Sequence, residues 1–201
     1  MTWVKVCGMT RREDVELAVD AGADAVGFVV APSSPRRVDI VDVAELARSV
    51  SASTFLVAVD LPPDDLMAAA AVAGVDGVQP HGRHAAPAAD AARDAGLAVL
   101  FPVGIAPGAK VVDLDATPRG ATPLLDTRVE GLDGGTGVSF DWSLASELER
   151  RFVVAGGLDP TNVAEAVAVT GAWGVDVASG VEAEPGRKDP EKVRAFVEAV
   201  R

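Results

Sequence analysis

The stretch FVVAGGLDPTNVAEAVAVTGAWGVDVASGV, residues 152–181, contains one complete strand–helix–strand unit. The apolar runs near 152–155 and 174–178 predict two strands, and the Ala-rich segment 159–170 between them predicts a helix. Two parallel strands need a crossover connection of this kind. The stretch therefore indicates a parallel sheet with a helix packed against it.

The same alternation runs along the rest of the chain. Strand-like runs lie near residues 3–7, 24–30, 54–59, 76–80, 97–103, 123–126, 152–155 and 174–178. Helix-competent segments lie near residues 11–21, 41–51, 63–73, 84–95, 141–150, 159–170 and 189–200. Eight units in 201 residues leave about 25 residues for each, which is the short end of the range for a (β/α)8 barrel. We therefore expect an α/β protein with a (β/α)8 TIM barrel fold, as a single compact domain over residues 1–201.

Two helix starts carry recognisable capping signals. Thr10 with Glu13 fits a capping box for the first helix. Asp159 before Pro160 fits an N-cap followed by a proline at the first helical position. We expect helices to begin at both places.

The unit after the fifth strand departs from the pattern. Pro107 and Gly108 interrupt it, and Pro118 and Gly120 follow soon after. Proline and glycine both disfavour a helix interior. The helix after strand 5 is therefore expected to be short, displaced or missing.

Charge and composition exclude several classes of protein. The net charge is −12, and a protein this acidic repels nucleic acids and anionic membranes, although local basic groups or backbone amides can still hold a small anionic substrate. One cysteine cannot form an intramolecular disulfide. No leader-like segment is seen, and no apolar stretch approaches the roughly 18 residues of a membrane span. We expect a cytoplasmic protein with neither a nucleic-acid partner nor a membrane partner.

The first strand sends three side chains into the barrel. Alternation along the strand turns Trp3, Lys5 and Cys7 inward, and the same rule turns Asp176 inward from the last strand. Charges buried together are expected to pair, so Lys5 and Asp176 are predicted partners. Cys7 is either an ordinary buried apolar side chain or, at the carboxyl end of a barrel strand, a reactive thiol.

Asp126 occupies the equivalent position at the end of the sixth strand. A carboxylate there is either a general acid or base, or the cap of a turn. The loop that follows, from Gly131 to Gly137, includes Gly134 and Gly135. Such a glycine-rich stretch is either a lid over a ligand or an ordinary loop.

Glycine loops follow the last two strands. Gly156 and Gly157 come after the seventh, and Ser179 and Gly180 come after the eighth. TIM barrels most often bind phosphate in these two loops, through backbone amides and a helix N-terminus. We therefore predict a phosphate site, to which Ser179 adds a hydroxyl donor.

Two arginines follow the second strand. Arg36 and Arg37 lie where a guanidinium can take a substrate carboxylate in a bidentate fork. On a chain with 30 acidic residues, a surface ion pair is the alternative.

Nine motifs together resemble the phosphoribosylanthranilate isomerase family of tryptophan biosynthesis. They are VKVCGMT at 4–10, GADAVGFVV at 22–30, SPRR at 34–37, HG at 81–82, LLDT at 124–127, GGTG at 134–137, AGGL at 155–158, GVDVASGVE at 174–182 and GRKD at 186–189. The resemblance spans nearly the whole chain. It implies a (β/α)8 barrel that performs an Amadori rearrangement: N-(5-phosphoribosyl)anthranilate becomes 1-(2-carboxyphenylamino)-1-deoxyribulose 5-phosphate, without a metal or cofactor.

The resemblance also implies roles for individual residues. Cys7 matches the general base, Asp126 the general acid, and Arg36 the residue that holds the anthranilate carboxylate. The remaining residues expected to contact the substrate are His81, Gly134, Gly135, Gly157, Asp176, Ser179 and Gly180.

The implied chemistry makes demands on the site. Asp126 should begin the cycle protonated, and the Cys7 thiolate should be favoured by nearby positive charge, for which Lys5 is a candidate. Pro80 precedes His81 where the family usually has leucine. It removes an N–H donor at the end of the fourth strand, and we expect this to shift His81.

Two other functions fit parts of the pattern. A bifunctional isomerase of histidine and tryptophan synthesis would use two carboxylates and a further phosphate loop, whereas this chain has Cys7 and the glycine-free loop 61–63. A catalytically silent phosphometabolite-binding barrel would have lost the acid or the base, and both are present. We expect an enzyme acting on a small phosphorylated substrate, as a monomer, with a homodimer as the alternative.

Overall fold

Eight parallel strands close into a barrel in the computed structural model, which describes residues 1–106, 108–127 and 139–201. The strands are β1 (Trp3–Cys7), β2 (Ala25–Val29), β3 (Ser53–Val59), β4 (Gly77–His81), β5 (Ala98–Ile105), β6 (Thr122–Thr127), β7 (Val153–Val154) and β8 (Gly174–Val177). Neighbours in the chain are neighbours in the barrel, and β1 pairs with β8 to close it. The predicted (β/α)8 class is confirmed.

Helices connect most of the strands. They are α1 (Arg12–Asp20), α2 (Ile40–Ala47), α3 (Pro63–Ala73), α4 (Ala85–Asp94), α5 (Val163–Thr170) and α6 (Pro190–Glu198). The described residues between β5 and β6 contain no α-helix, so the expectation for this unit is confirmed. The missing helix leaves the barrel otherwise intact.

The α-helix predicted over 141–150 does not form, so this prediction is wrong. Only Trp142–Ala145 is helical, as a single 3-10 turn. Ser143 hydrogen-bonds Asp141 with its hydroxyl, and the Ser146 hydroxyl donates to the Ser143 carbonyl. Such local bonds compete with the α-helical pattern.

Both predicted capping signals are wrong as well. The Thr10 hydroxyl donates to the Gly186 carbonyl instead of capping α1. Asp159 accepts from the amide and hydroxyl of Thr161, which builds a turn ahead of α5 and delays the helix to Val163. In each case a nearby backbone or side chain offers the polar group a different partner.

The core has two layers. Inside the barrel, apolar side chains cluster at Trp3, Ala25, Phe55, Leu100, Leu124, Val153, Ala155 and Trp173. Trp3 stacks on Trp173 at 4.9 Å, and the Arg151 guanidinium lies 3.2 Å from the centroid of a Trp173 ring. This aromatic cluster lies at the end of the barrel where β1 begins, opposite the carboxyl ends of the strands.

Pro80 does not shift His81 out of β4, contrary to expectation. β4 pairs with β3 as far as His81, whose carbonyl accepts from the amide of Asp60. Backbone N–H groups point alternately to the two neighbours of a strand, and at position 80 the N–H would point toward β5. The pairing of β4 with β5 has already ended at Val78, so the proline removes no hydrogen bond of the barrel.

A small antiparallel hairpin follows β8 and has no counterpart in the predictions. It consists of β9 (Glu182–Glu184) and β10 (Arg187–Lys188). The amide of Lys188 donates to the buried carboxylate of Asp14 on α1, which holds the hairpin against the barrel.

Among the described helices, none is long and apolar enough to cross a membrane.

Candidate active site

A cavity of about 590 Å³ opens at the carboxyl end of the barrel strands. Its walls bring together most of the predicted site residues, namely Cys7, Arg36, His81, Asp126, Gly157, Asp176 and Ser179. Gly180 follows Ser179 in the same loop. Gly134, Gly135 and the rest of the predicted lid at 131–137 lie outside the described residues.

Cys7 ends β1 with its thiol turned into the cavity. The side chain is only 6% exposed, and a Cβ built on Gly27 of β2 would lie 2.8 Å from Sγ. Glycine at position 27 therefore makes the room that the sulfur occupies. Burial raises the pKa of the thiol above its ordinary value, while the positive charges of Lys5 and Lys188 act in the opposite direction. Lys5 thus favours the thiolate as expected, but burial outweighs it.

Lys5 lies at the centre of a buried polar cluster. Its Nζ donates to both oxygens of Asp176, at 2.9 and 3.0 Å, and to Oε1 of Gln79 at 2.9 Å. The predicted pairing of Lys5 with Asp176 is confirmed. Because the Gln79 oxygen faces Lys5, its NH₂ group faces His81 and donates to Nε2 of the imidazole at 3.0 Å. That nitrogen of His81 is therefore an acceptor.

Asp126 ends β6 with its carboxyl group at the cavity wall. Burial and the negative charge of Asp176 raise its pKa to about 6, against the opposing effects of the Thr127 amide and Lys5. A Cβ on Gly156 would lie 2.4 Å from Oδ1 of Asp126, so only glycine leaves space for the carboxyl group there. A carboxyl group with a pKa near 6 can hold or give up a proton close to neutral pH, as a general acid must.

The glycine loops lie on one side of the cavity and pack tightly against each other. Gly156 and Gly157 both have left-handed φ, at 80° and 65°. A Cβ on Gly180 would come within 1.9 Å of the Leu158 carbonyl oxygen. Asn162 fixes the first loop by donating to the Gly157 carbonyl at 2.8 Å. Backbone this closely packed and free of side chains suits the approach of an anionic group such as phosphate.

Arg36 and Arg37 lie in different environments and pair with different carboxylates. Arg37 pairs with Asp39 at the surface, where half of the arginine side chain is exposed. Arg36 lines the cavity, and its side chain is 15% exposed. It forms a bidentate pair with the carboxylate of Glu182, which is buried, so the surface-pair alternative holds for Arg37 but not for Arg36.

Sequence reasoning assigned no role to Glu182, Lys188 or Gln79. Glu182 and Lys188 belong to the motifs GVDVASGVE and GRKD, so the resemblance included them without saying what they do. Gln79 lies on β4, and its bond to Lys5 joins residues 74 positions apart. Within residues 1–106, 108–127 and 139–201, no group of three or more His, Cys, Asp or Glu side chains could hold a metal ion.

Comparison with known proteins gives one consistent result. The model of the family described as "N-(5'phosphoribosyl)anthranilate (PRA) isomerase" matches residues 4–199. An N-(5'-phosphoribosyl)anthranilate isomerase of Rubrobacter xylanophilus is 38% identical over 205 residues, which cover 100% of each chain.

Solved structures agree with the sequence relatives. Crystallised monomers of the dimeric phosphoribosylanthranilate isomerase of Thermotoga maritima align with a TM-score of 0.82 at 31% identity, over 100% of this chain and 98% of that one. A phosphoribosyl anthranilate isomerase in complex with reduced 1-(o-carboxyphenylamino)-1-deoxyribulose 5-phosphate aligns with a TM-score of 0.80 at 31% identity, over 100% and 98% of the two chains. On its sequence and its fold together, this chain belongs to the N-(5'-phosphoribosyl)anthranilate isomerase family.

Proposed function

We propose that this chain isomerises N-(5-phosphoribosyl)anthranilate to 1-(2-carboxyphenylamino)-1-deoxyribulose 5-phosphate, with Asp126 as general acid and Cys7 as general base. One observation carries the proposal: a carboxyl group with a pKa of about 6 and a buried thiol line the same cavity, at the ends of β6 and β1. Family membership supplies the substrate and the reaction.

The proposed reaction needs both groups in turn. Asp126 gives a proton to the ring oxygen of the furanose, the bond from C1′ to that oxygen breaks, and the nitrogen lone pair forms a protonated Schiff base. The cationic nitrogen makes the C2′ proton acidic, and the Cys7 thiolate removes it to give an enolamine. Tautomerisation of the enolamine then places a proton on C1′ and leaves a ketone at C2′. The substrate and product have the same atoms, so no oxidant or reductant is consumed.

Asp126 and Cys7 both have raised pKa values in the unliganded site. The pKa of Asp126, about 6, is still below neutral pH, so the free carboxyl group is mostly ionised there, while the raised pKa of Cys7 keeps the thiol mostly protonated. The catalytic form carries the proton on Asp126 instead. Asp126 gives up this proton as the ring opens, and the cationic Schiff base that results then favours the Cys7 thiolate, since a positive charge beside Cys7 lowers the pKa of the thiol.

The two ends of the substrate carry negative charge, and the cavity offers a cationic or amide-rich surface for each. The loops containing Gly157, Ser179 and Gly180 would bind the phosphate through backbone amides and the Ser179 hydroxyl. Arg36 would bind the anthranilate carboxylate. A volume of about 590 Å³ is ample for a ligand of this size, since small-molecule sites span roughly 300–1,000 Å³.

Growth of a tryptophan auxotroph that lacks this isomerase tests the proposed function. The gene for this chain should restore growth without tryptophan, and the purified protein should convert the phosphoribosyl anthranilate. The histidine-pathway aminoaldose is the matched second substrate, and we expect no comparable turnover because the base position holds a thiol and the loop 61–63 has no glycine. Failure to rescue growth by a stably expressed protein would refute the assignment.

We also propose that the protein acts as a monomer in the cytoplasm. The large apolar side chains exposed among the described residues lie on separate elements, at Met1, Val41, Val72, Val111 and Val169. Stable dimers generally bury a contiguous apolar patch. Sedimentation equilibrium should give a mass near 20.5 kDa, and a mass near twice that value would establish the homodimer.

A further inference from the structure

A buried three-charge cluster lies behind the cavity wall. Nε and Nη2 of Arg36 donate to the two oxygens of Glu182, at 2.8 and 2.7 Å. Nζ of Lys188 donates to Oε1 of the same carboxylate at 3.0 Å, and also to the Ala178 carbonyl at 3.0 Å. The side chains of Glu182 and Lys188 are only 5% and 0% exposed. One carboxylate therefore holds two cations, and of these three residues it is Arg36 that lines the cavity.

The charges in this cluster do not balance. Two cations and one carboxylate leave a net charge of +1, and a buried charge is costly unless it is paired. Glu182 occupies the side of the guanidinium formed by Nε and Nη2. Nη1 of Arg36 makes no hydrogen bond with any residue in the described ranges, so the end of the guanidinium remains for a further acceptor. An anionic group in the cavity would complete the cluster.

The position of the Arg36 side chain is set on its other side by Gly8. A Cβ on Gly8 would lie 2.5 Å from Cδ of Arg36, so the arginine stem runs directly over the loop that follows Cys7. Lys188 reaches the start of the loop containing Ser179, because its Nζ binds the carbonyl of Ala178, which directly precedes that loop. The cluster thus joins the loop after Cys7 to the loop after β8.

We propose that Glu182 is a positioning residue that sets the orientation of Arg36, and that Lys188 fixes Glu182 in turn. The inference rests on the proposed function, in which Arg36 binds the substrate carboxylate. Glu182 itself touches no substrate. Glu182 binds one side of the Arg36 guanidinium, so that the other side points to the carboxylate of the substrate. The hydrogen bonds of Lys188 to Glu182 and to the Ala178 carbonyl fix the position of this guanidinium relative to the phosphate loops.

Paired substrates separate positioning from a general structural effect. The first is N-(5-phosphoribosyl)anthranilate, and the second is N-(5-phosphoribosyl)aniline, which lacks the carboxylate that Arg36 would bind. For Glu182→Ala we expect KM for the first substrate to rise at least about tenfold, with a much smaller change in kcat. For the aniline substrate, KM should change less than about twofold relative to wild type, because the lost orientation no longer matters.

Two further variants sharpen the comparison. Glu182→Gln keeps the shape and one acceptor oxygen, and it should recover part of the lost affinity. Glu184→Ala removes an exposed carboxylate from the same hairpin, where its partner is Arg187 at 3.4 Å, and it should leave both substrates unaffected. In an Arg36→Met background, Glu182→Gln should add less than about a twofold change in KM, since the two residues act as a unit.

Failure of this inference is distinguishable from failure of the proposed function. If wild-type protein does not convert the anthranilate substrate, the proposed function is wrong. If wild-type protein is active and the Glu182 variants, folded by circular dichroism, lose the same factor on both substrates, then Glu182 is structural and the positioning role is refuted. Unchanged kinetics in both Glu182 variants would refute it too.

Discussion

The carboxylate of Asp176 raises the pKa of Asp126 across the mouth of the barrel, although Asp176 is itself paired with Lys5. Burial makes the larger contribution, and Asp176 adds to it in the same direction. Asp176, although paired with Lys5, thus raises the pKa of a carboxyl group at the cavity wall. It helps to keep a proton available on the group proposed as the general acid.

Asp126→Asn should stabilise the protein at neutral pH. The pKa of Asp126 rises from 3.8 in the unfolded chain to about 6 in the folded one, so ionisation above pH 4 weakens folding. This difference in pKa lowers the free energy of unfolding by at most about 3 kcal/mol. The full loss is reached by pH 7, and there is no loss at pH 3. The asparagine variant avoids this loss. The difference in free energy of unfolding between the variant and wild type should therefore increase, in favour of the variant, as pH rises from 4 to 7.

Urea unfolding of both proteins at pH 4, 5, 6 and 7 measures that gain. Titrating groups that do not interact with Asp126 are shared by the two proteins and cancel in the difference. A difference that stays constant over this range would show that the pKa of Asp126 is not raised.

Lys5→Met should destabilise the fold strongly. Lys5 is 0% exposed and binds Asp176 and Gln79, so its removal leaves a buried carboxylate unpaired. Breaking such a pair costs about 3–5 kcal/mol. Loss of the exposed pair by Arg37→Ala, the matched control, should cost less than about 1 kcal/mol.

The double variant Lys5→Met/Asp176→Leu tests the cause. It should recover much of the stability lost in Lys5→Met, because no charge is then left unpaired. Denaturant midpoints compare four proteins: wild type, the single variants Lys5→Met and Asp176→Leu, and the double variant. If the double variant is as unstable as the sum of the two single changes, packing of the lysine stem, not charge, explains the loss.

Gly180→Ala should damage phosphate binding. Its Cβ would clash with the Leu158 carbonyl oxygen at 1.9 Å, which forces the two loops apart. KM for the phosphorylated substrate should rise at least about tenfold. Gly174→Ala is the control, because its Cβ would meet the Trp3 carbonyl at 3.0 Å at the far end of the barrel.

The control should lower the melting temperature without changing KM. Steady-state kinetics and thermal unfolding of both variants provide the comparison. An equal rise in KM for the two variants would mean that the effect spreads through the barrel and is not specific to the phosphate loops.

Local patterns in the sequence predicted most of the barrel. The period of two along β1 placed Lys5 and Cys7 inside, and the glycines and prolines after β5 marked the missing helix. The helix predicted over 63–73 has those bounds in the structure. These features depend on backbone geometry and on which side a chain segment buries, and both are encoded within a few residues.

Apart from the Lys5–Asp176 pair, side-chain contacts between distant residues were not predicted. Arg36 and Glu182 lie 146 positions apart, and neither neighbourhood indicates the other. The raised pKa of Asp126 likewise comes from burial and from Asp176, which only the closed barrel brings near. Capping failed at Thr10 for the same reason, since its hydroxyl bonds Gly186. The catalytic roles of Cys7 and Asp126 remain predictions.

The most direct test of the acid–base pair is turnover of saturating N-(5-phosphoribosyl)anthranilate by wild type, Cys7→Ser and Asp126→Asn. Each variant should lower kcat by at least about a thousandfold. Affinity for the reduced product analogue should stay within about threefold of wild type, because neither group is proposed to carry the main binding contacts. Wild-type turnover by either variant would contradict the account.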